Sequence, residues 1–231
     1  MNAFSTDTIL FMIYPYVAIV LFLVVSISRF RRRKFTFSSL SSQFLEGEIL
    51  FTGSMAWHIG ILTVLSGHIL AFLFPGTLLL WNRVPVRLFI LETFAFVAGL
   101  MAVIGLVLLI VRRTVNPRIR AVTSGMDVAV LGLLLFQVVT GLCIALFQRW
   151  GSSWYATMLV PYLKSIFLLS PDLSFITPAT LLMKLHLFGA ITFIASLSFT
   201  RLVHFLVWPV YYLWRSPQVV IWNRRDAERT T

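Results

Sequence analysis

The chain has 231 residues, of which 59% are hydrophobic and 12% charged, with a mean hydropathy of +0.92. That balance excludes an ordinary soluble domain and places the sequence among integral membrane proteins. The formal net charge of +11 would suit a nucleic-acid partner. The basic residues are bunched between apolar runs, however, which excludes nucleic acid and makes them topology signals.

Five apolar runs are long enough to cross about 30 Å of hydrocarbon, which takes roughly 20 helical residues each. They are predicted at about 9–28, 50–73, 87–111, 126–147 and 179–208. Barrel strands would be shorter and would alternate in polarity. The sequence therefore predicts an all-α integral membrane protein, a five-transmembrane-helix bundle forming a single membrane domain over residues 1–231.

The first run has no basic segment before it and is a full span in length, so it reads as a helix that stays rather than a cleaved signal. Arg29, Arg31, Arg32, Arg33 and Lys34 follow it, then a polar stretch from Ser38 to Glu46 suited to the interface. Arg112, Arg113, Arg118 and Arg120 follow the third run, and Arg215, Arg224, Arg225 and Arg229 the fifth. All of these share one side if the N-terminus lies on the other. The second side keeps Arg83, Arg87, Arg149 and Lys164, while Lys184 and Arg201 fall within the last run. The positive-inside rule then orients the N-terminus outside and the C-terminus in the cytoplasm.

Between the third and fourth runs, Asn116-Pro117 predicts a helix stop. Ser124 suits an N-cap, and Asp127, three residues on, suits the positive helix end, a structural role. The longest connection, 148–178, lies outside. Its stretch Trp154 to Leu169 is interrupted by Pro161 and too short to span. It reads either as a plain interfacial loop or as an amphipathic segment on the outer face, with Trp154, Tyr155 and Tyr162 at headgroup depth. Cys143 is the only cysteine, whereas iron–sulfur clusters usually need four thiolates, so any such cluster belongs to a partner.

The chain's four histidines all lie in apolar runs: His58 and His68 in the second, His186 and His204 in the fifth. A neutral imidazole in hydrocarbon is costly without a partner. With the N-terminus outside, the second run climbs outward and the fifth descends inward. His68 and His186 then form an outer pair, and His58 and His204 an inner pair. Each pair can grip one iron from opposite sides, which predicts two b haems stacked across the bilayer. His186 and His204 are five whole turns apart on one face, whereas His58 and His68 differ by about 80° at roughly 100° per residue. Their axial separations, about 27 Å and about 15 Å, also differ. The other readings are interhelical hydrogen bonds, a zinc site or a proton relay. Zinc takes clustered ligands and relays use carboxylates within spans, of which Glu92 alone is a clear case.

Gly60 and Gly67 share a helical face where a neighbour or a ring can approach closely, and Gly67 is a candidate cofactor contact. Arg201 near His204 and Lys184 near His186 are candidates for haem propionates, against helix packing for the glycines and simple snorkelling for the cations. Glu92 reads either as a proton acceptor for a quinol near the outer haem or as an ion-pair partner of Lys184 or Arg87.

Several stretches carry a family resemblance: Tyr14-Pro15-Tyr16, Ser41-Ser42-Gln43-Phe44-Leu45, Trp57-His58-Ile59-Gly60-Ile61-Leu62 through Gly67-His68, and Arg118-Ile119-Arg120-Ala121-Val122-Thr123-Ser124-Gly125. Lys184-Leu185-His186-Leu187 and Arg201-Leu202-Val203-His204 complete the set. Over nearly its whole length the chain resembles the cytochrome b (gamma) subunit of respiratory nitrate reductase. The resemblance implies a multi-pass subunit of a prokaryotic cytoplasmic membrane that holds two b haems and oxidises menaquinol or ubiquinol at the outer one. Electrons would pass inward to a cytoplasmic iron–sulfur subunit and then to a molybdenum subunit that reduces nitrate. It also implies His68 and His186 as outer ligands and His58 and His204 as inner ligands. In the family a basic residue after the second outer loop assists quinol binding, and Arg87 is the nearest candidate here. The rival readings are a quinol-oxidising b cytochrome of a heterodisulfide-reductase-like or sulfite-reduction complex, and a haem-free membrane anchor.

Overall fold

A computed structural model describes residues 5–32 and 48–200. Within them every regular element is helical. In chain order they are α1 (Thr6–Arg32), α2 (Glu48–Leu73), α3 (Pro75–Asn82), α4 (Pro85–Val115), α5 (Pro117–Ala121), α6 (Gly125–Phe147), α7 (151–167) and α8 (Leu181–Leu197). Among the described residues four helices are long and apolar enough to cross a membrane: α1, α2 from Leu50, α4 and α6. Arg33 and Lys34, the 38–46 stretch, Arg201, His204 and the basic residues from Arg215 onward lie outside the described residues.

The fifth span differs from its prediction. The helix stops at Leu197 and the chain turns through Ser198–Thr200, so α8 has 17 residues and a length of about 25 Å. Hydroxyls drive the stop by competing for backbone carbonyls. Ser196 Oγ donates to Phe193 O (2.8 Å), Thr200 Oγ1 to Leu197 O (3.0 Å) and Ser198 Oγ to Phe22 O on α1 (2.8 Å). Arg29 then donates to the carbonyls of Ser198 and Thr200, satisfying the helix end from the neighbouring helix. The five-turn phase relation expected between His186 and His204 does not run along one continuous helix.

The other boundaries follow local chemistry. Pro75, Pro85 and Pro117 open α3, α4 and α5, at positions where a missing N–H costs no intrahelical bond. Asn116 ends α4 and its side chain accepts from Arg118 N (3.0 Å). At the start of α6, Ser124 Oγ accepts from Asp127 N (3.2 Å) while Asp127 Oδ2 accepts from Ser124 N (2.9 Å), a reciprocal capping box. Asp127 also pairs with Arg113 at 3.2 Å, which ties α4 to α6 and bears out its structural role.

Two buried clusters hold the helices together. In the first, Trp57 of α2 packs with Ala102 and Leu106 of α4 and Val130, Leu134 and Val138 of α6. Here α2 and α4 meet backbone to backbone. A Cβ on Gly60 would lie 2.5 Å from Ala102 N and 2.6 Å from Ala98 O, and one on Gly105 would strike Trp57 N. Small residues at such a crossing replace the hydrophobic drive that lipid removes.

The second cluster joins α1, α7 and α8 through Phe11, Ala18, Tyr162, Ile166, Leu187 and Ile191. A buried proline, Pro15, adjoins it in α1. Pro15 has no N–H for the carbonyl four residues back, Phe11 O, and the turn Ile9–Ile13 widens to π geometry ahead of it. Tyr162 Oη donates to that freed carbonyl at 2.7 Å. Tyr162 is thus fully buried against α1. The same π widening at Tyr155–Leu159 precedes Pro161, so α7 continues as helix through a residue expected to interrupt it.

Two outcomes check this packing. Tyr162→Phe leaves Phe11 O buried without a donor and should lower the unfolding free energy in detergent micelles by about 1–3 kcal/mol. In a Pro15→Ala background, where residue 15 regains its own N–H, the same change should cost clearly less, so a denaturant double-mutant cycle reads the coupling directly. Gly60→Ala should destabilise by about 1–3 kcal/mol through overpacking. Gly67→Ala, whose Cβ meets nothing within 4 Å, should leave thermal stability unchanged or slightly raised.

Candidate functional site

α2 carries two histidines whose rings are tied to their own helix. His58 Nδ1 lies 2.7 Å from Ser54 O and 3.1 Å from Ser54 Oγ, and His68 Nδ1 lies 2.9 Å from Val64 O. A carbonyl oxygen only accepts, so Nδ1 carries the proton and donates in both rings. Each Nε2 then keeps a free lone pair directed away from that bond. Both side chains are exposed on the helix surface.

His186, in the second turn of α8, finds its partners on α6 instead. Its Nδ1 is 3.0 Å from Thr140 Oγ1, and Gln137 Nε2 is 3.2 Å from both ring nitrogens. Gly141 makes room for the ring, since a Cβ there would come within 3.1 Å of His186 Cε1. His186 also shares a small cavity with Trp154 and Met158 of α7. His68 and His186, the outer pair expected from topology, both lie against α7. His204, the expected partner of His58, lies outside the described residues.

α7 is the element that both adjoin. Tyr155 Oη donates to His68 O (3.2 Å), and its ring meets the His68 ring edge-on at 5.2 Å between centroids. Burial pushes the Tyr155 phenol up to about 12, so it remains a donor at neutral pH. A cavity of about 20 Å³, the room of one water, lies between α7 and α8 and is lined by Trp154, Met158, Phe175, Met183, Lys184 and His186.

The remaining candidates separate. Lys184 pairs with Asp7 at 2.6 Å, joining the first turns of α1 and α8. Glu92 accepts from Ser152 N (3.2 Å) and Ser152 Oγ (3.0 Å) at the start of α7, so its partner is neither Lys184 nor Arg87. Arg87 stacks over the Trp81 ring at 5.4 Å, and Trp81 Nε1 donates to Arg87 O (3.2 Å). Gly60 is a packing glycine, whereas Gly67, beside His68, faces open space. Arg201 lies outside the described residues. Among the described residues no three His, Cys, Asp or Glu side chains gather as a metal cluster.

Sequence reasoning passed over Thr140 and Gln137, and gave Tyr155 only an interfacial role. A signal for the first two was present: beyond its first turn α6 has no other strongly polar side chain. A polar group there needs a partner inside the bundle.

Comparison with known proteins gives the same direction as the residues. The family model described as nitrate reductase gamma subunit matches residues 7–223. The chain is 33% identical over 224 residues to the nitrate reductase gamma chain of Bacillus subtilis (strain 168), covering 94% of this chain and 98% of that one. It is 32% identical over 213 residues to the respiratory nitrate reductase 1 gamma chain of Escherichia coli (strain K12), covering 91% and 95%. It is also 27% identical to the nitrate reductase-like protein NarX of Mycobacterium tuberculosis (strain ATCC 25618 / H37Rv), covering 94% of this chain and 34% of that one. The chain, with its histidine-bearing helices α2 and α8, belongs to the nitrate reductase gamma subunit family.

Proposed function

We propose that this chain is a dihaem b-type cytochrome, oriented with its N-terminus outside and its C-terminus in the cytoplasm of a prokaryotic cell. It oxidises membrane quinol near the outer face and delivers the electrons across the bilayer to the iron–sulfur and molybdenum subunits of a respiratory nitrate reductase. The observation that carries the reading is that imidazoles from two different helices lie against one element, α7: the His68 ring meets Tyr155 edge-on at 5.2 Å, and His186 shares a small cavity with Trp154 and Met158. Family membership supports the complex to which the chain is assigned.

The donor chemistry fits haem iron. His68 and His58 commit Nδ1 to backbone carbonyls and offer Nε2, the usual arrangement of a ligating imidazole. Beside His68, Gly67 leaves space that a side chain would fill. His68 and His186 are assigned to the outer iron, and His58 and His204 to the inner. Arg201 is the propionate partner proposed for the inner group. Lys184 remains the outer candidate only if it exchanges Asp7 for a propionate. Bound at these sites, b haems supply one-electron ferric/ferrous chemistry.

The chain's own residues supply the rest. Glu92, whose carboxylate accepts from Ser152, is assigned the role of taking a quinol proton on the outer side, and Arg87, over the Trp81 ring, that of orienting the quinol oxygen. Moving an electron inward against an inside-negative potential costs about 2.3 kcal/mol per 100 mV. The fall in redox potential from quinol to acceptor must exceed that cost.

The test is the reduced-minus-oxidised spectrum of the complex purified from its native membrane. Two b-type components are expected. His68→Ala and His186→Ala should each abolish one of them, and His58→Ala and His204→Ala the other. Loss of the same component from His58→Ala and His68→Ala overturns the cross-helix pairing. Absence of b-type bands leaves a haem-free anchor, and co-purification of a different cytoplasmic module removes the nitrate assignment.

A further inference from the structure

The three described histidines satisfy Nδ1 in two different ways. On α2 the acceptor is the carbonyl four residues back, supplied by the helix itself. On α8 the acceptor comes from a side chain of another helix, Thr140 Oγ1 at 3.0 Å. The direction of that bond can be deduced. Thr140 Oγ1 lies 2.8 Å from Phe136 O and 3.0 Å from Gln137 O, both acceptors, so its single proton is committed to its own helix. The oxygen is left to accept, and His186 Nδ1 donates.

The surroundings enforce this arrangement. Thr140 is 8% exposed, so no bulk water competes for the bond. The Gln137 amide nitrogen is equidistant from the two ring nitrogens, 3.2 Å from each. A donor so placed lies along neither in-plane lone pair and braces the ring instead of occupying Nε2. Gly141, the next residue after Thr140, leaves room for the ring, since a Cβ there would meet His186 Cε1 at 3.1 Å. Gln137, Thr140 and Gly141 thus form one face of α6 at i, i+3 and i+4, shaped to the ring.

We propose that Thr140 is the positioning residue of His186: its hydroxyl fixes the protonated Nδ1 and so presents Nε2 as the ligating nitrogen, with Gln137 bracing the ring. The proposal rests on the reading of His186 as an outer haem ligand. It goes further by placing control of that ligand on α6, a helix with no histidine of its own. A Nδ1–H bonded to an acceptor makes the imidazole a stronger electron donor and favours ferric iron. Removing the acceptor therefore favours ferrous iron and raises the potential of the outer component alone.

The experiment is a redox titration of both b-type components by absorbance, with EPR of the ferric low-spin signals, on the purified complex. Wild type is compared with Thr140→Val, which keeps shape and deletes the acceptor, and Thr140→Ser, which restores a hydroxyl. The component that disappears in His68→Ala identifies the outer group. Thr140→Val should shift that component upward, on the order of tenfold in its ferric-to-ferrous ratio at fixed potential. Its EPR signal should change while the other component stays in place, and Thr140→Ser should return both readouts to wild type. If Thr140→Val instead loses the outer component, retention at the wild-type potential in Thr140→Ser supports the proposal, and loss in both variants overturns it. Unchanged potentials and signals, or an equal shift of both components, overturn it while leaving the haem reading intact. A wild-type complex without two b-type components removes the haem reading itself.

Discussion

In hydrocarbon no water stands ready to satisfy a polar group, so a donor or acceptor in this bundle is costly unless it finds a partner within the chain. Much of the structure follows from that demand. Pro15 leaves the Phe11 carbonyl open, and Tyr162 reaches across from α7 to fill it. The end of α8 exposes carbonyls, and Arg29 of α1 takes those of Ser198 and Thr200. The same demand acts on the histidines. Each described imidazole satisfies one nitrogen within the protein, and what remains is a single lone pair of defined direction. The requirement that builds the fold also prepares the ligands.

The two buried clusters divide the work. One joins α2, α4 and α6, and the other joins α1, α7 and α8. His68 stands on the first and His186 on the second, so their separation depends on how the clusters dock. Several polar contacts fix α8 in place: Asp7 with Lys184, Tyr14 Oη with Thr192 Oγ1 (3.0 Å), and Thr140 with His186. Tyr16 Oη adds a bond to Ile166 O (3.1 Å), holding α7 to α1. α7 is therefore more than a loop on the membrane face. It lies against both histidines, His186 through a shared cavity and His68 directly through Tyr155.

Much of this was legible in the sequence. Runs of apolar residues fix four helices because their length against the bilayer leaves few options, and Ser124 and Asp127 announce a cap by type and spacing alone. The histidines stood out because apolar runs tolerate so few of them. The early end of α8 was hidden, since hydropathy does not register that Ser196, Ser198 and Thr200 compete for carbonyls. Charge partners were hidden too. Lys184 has Asp7 as its partner from 177 positions away, and Glu92 takes Ser152 in place of the nearby Arg87. Such choices depend on which elements come to lie side by side, and composition cannot report that. Tyr162 looked interfacial because tyrosine often is, but Pro15 had already made a place for its hydroxyl.

The glycines of α2 connect these levels. Gly53, Trp57 and Gly60 occupy the stripe that touches α4, and Gly60 fits only because it has no Cβ. Gly67 continues the same stripe seven residues on, yet nothing lies within 4 Å of its Cβ position. The neighbour has been lost in two turns of helix. Close contact at Gly60 and open space at Gly67 are two ends of one helix crossing, since axes that touch at one point must part beyond it. The space opens immediately beside His68. Lengthening the small-residue contact by two turns would close it, and separating the helices at Gly60 would free α2 to rotate and carry both histidines with it. The tight crossing at Gly60 thus fixes the rotation of α2, and with it the sides of the helix from which His58 and His68 project.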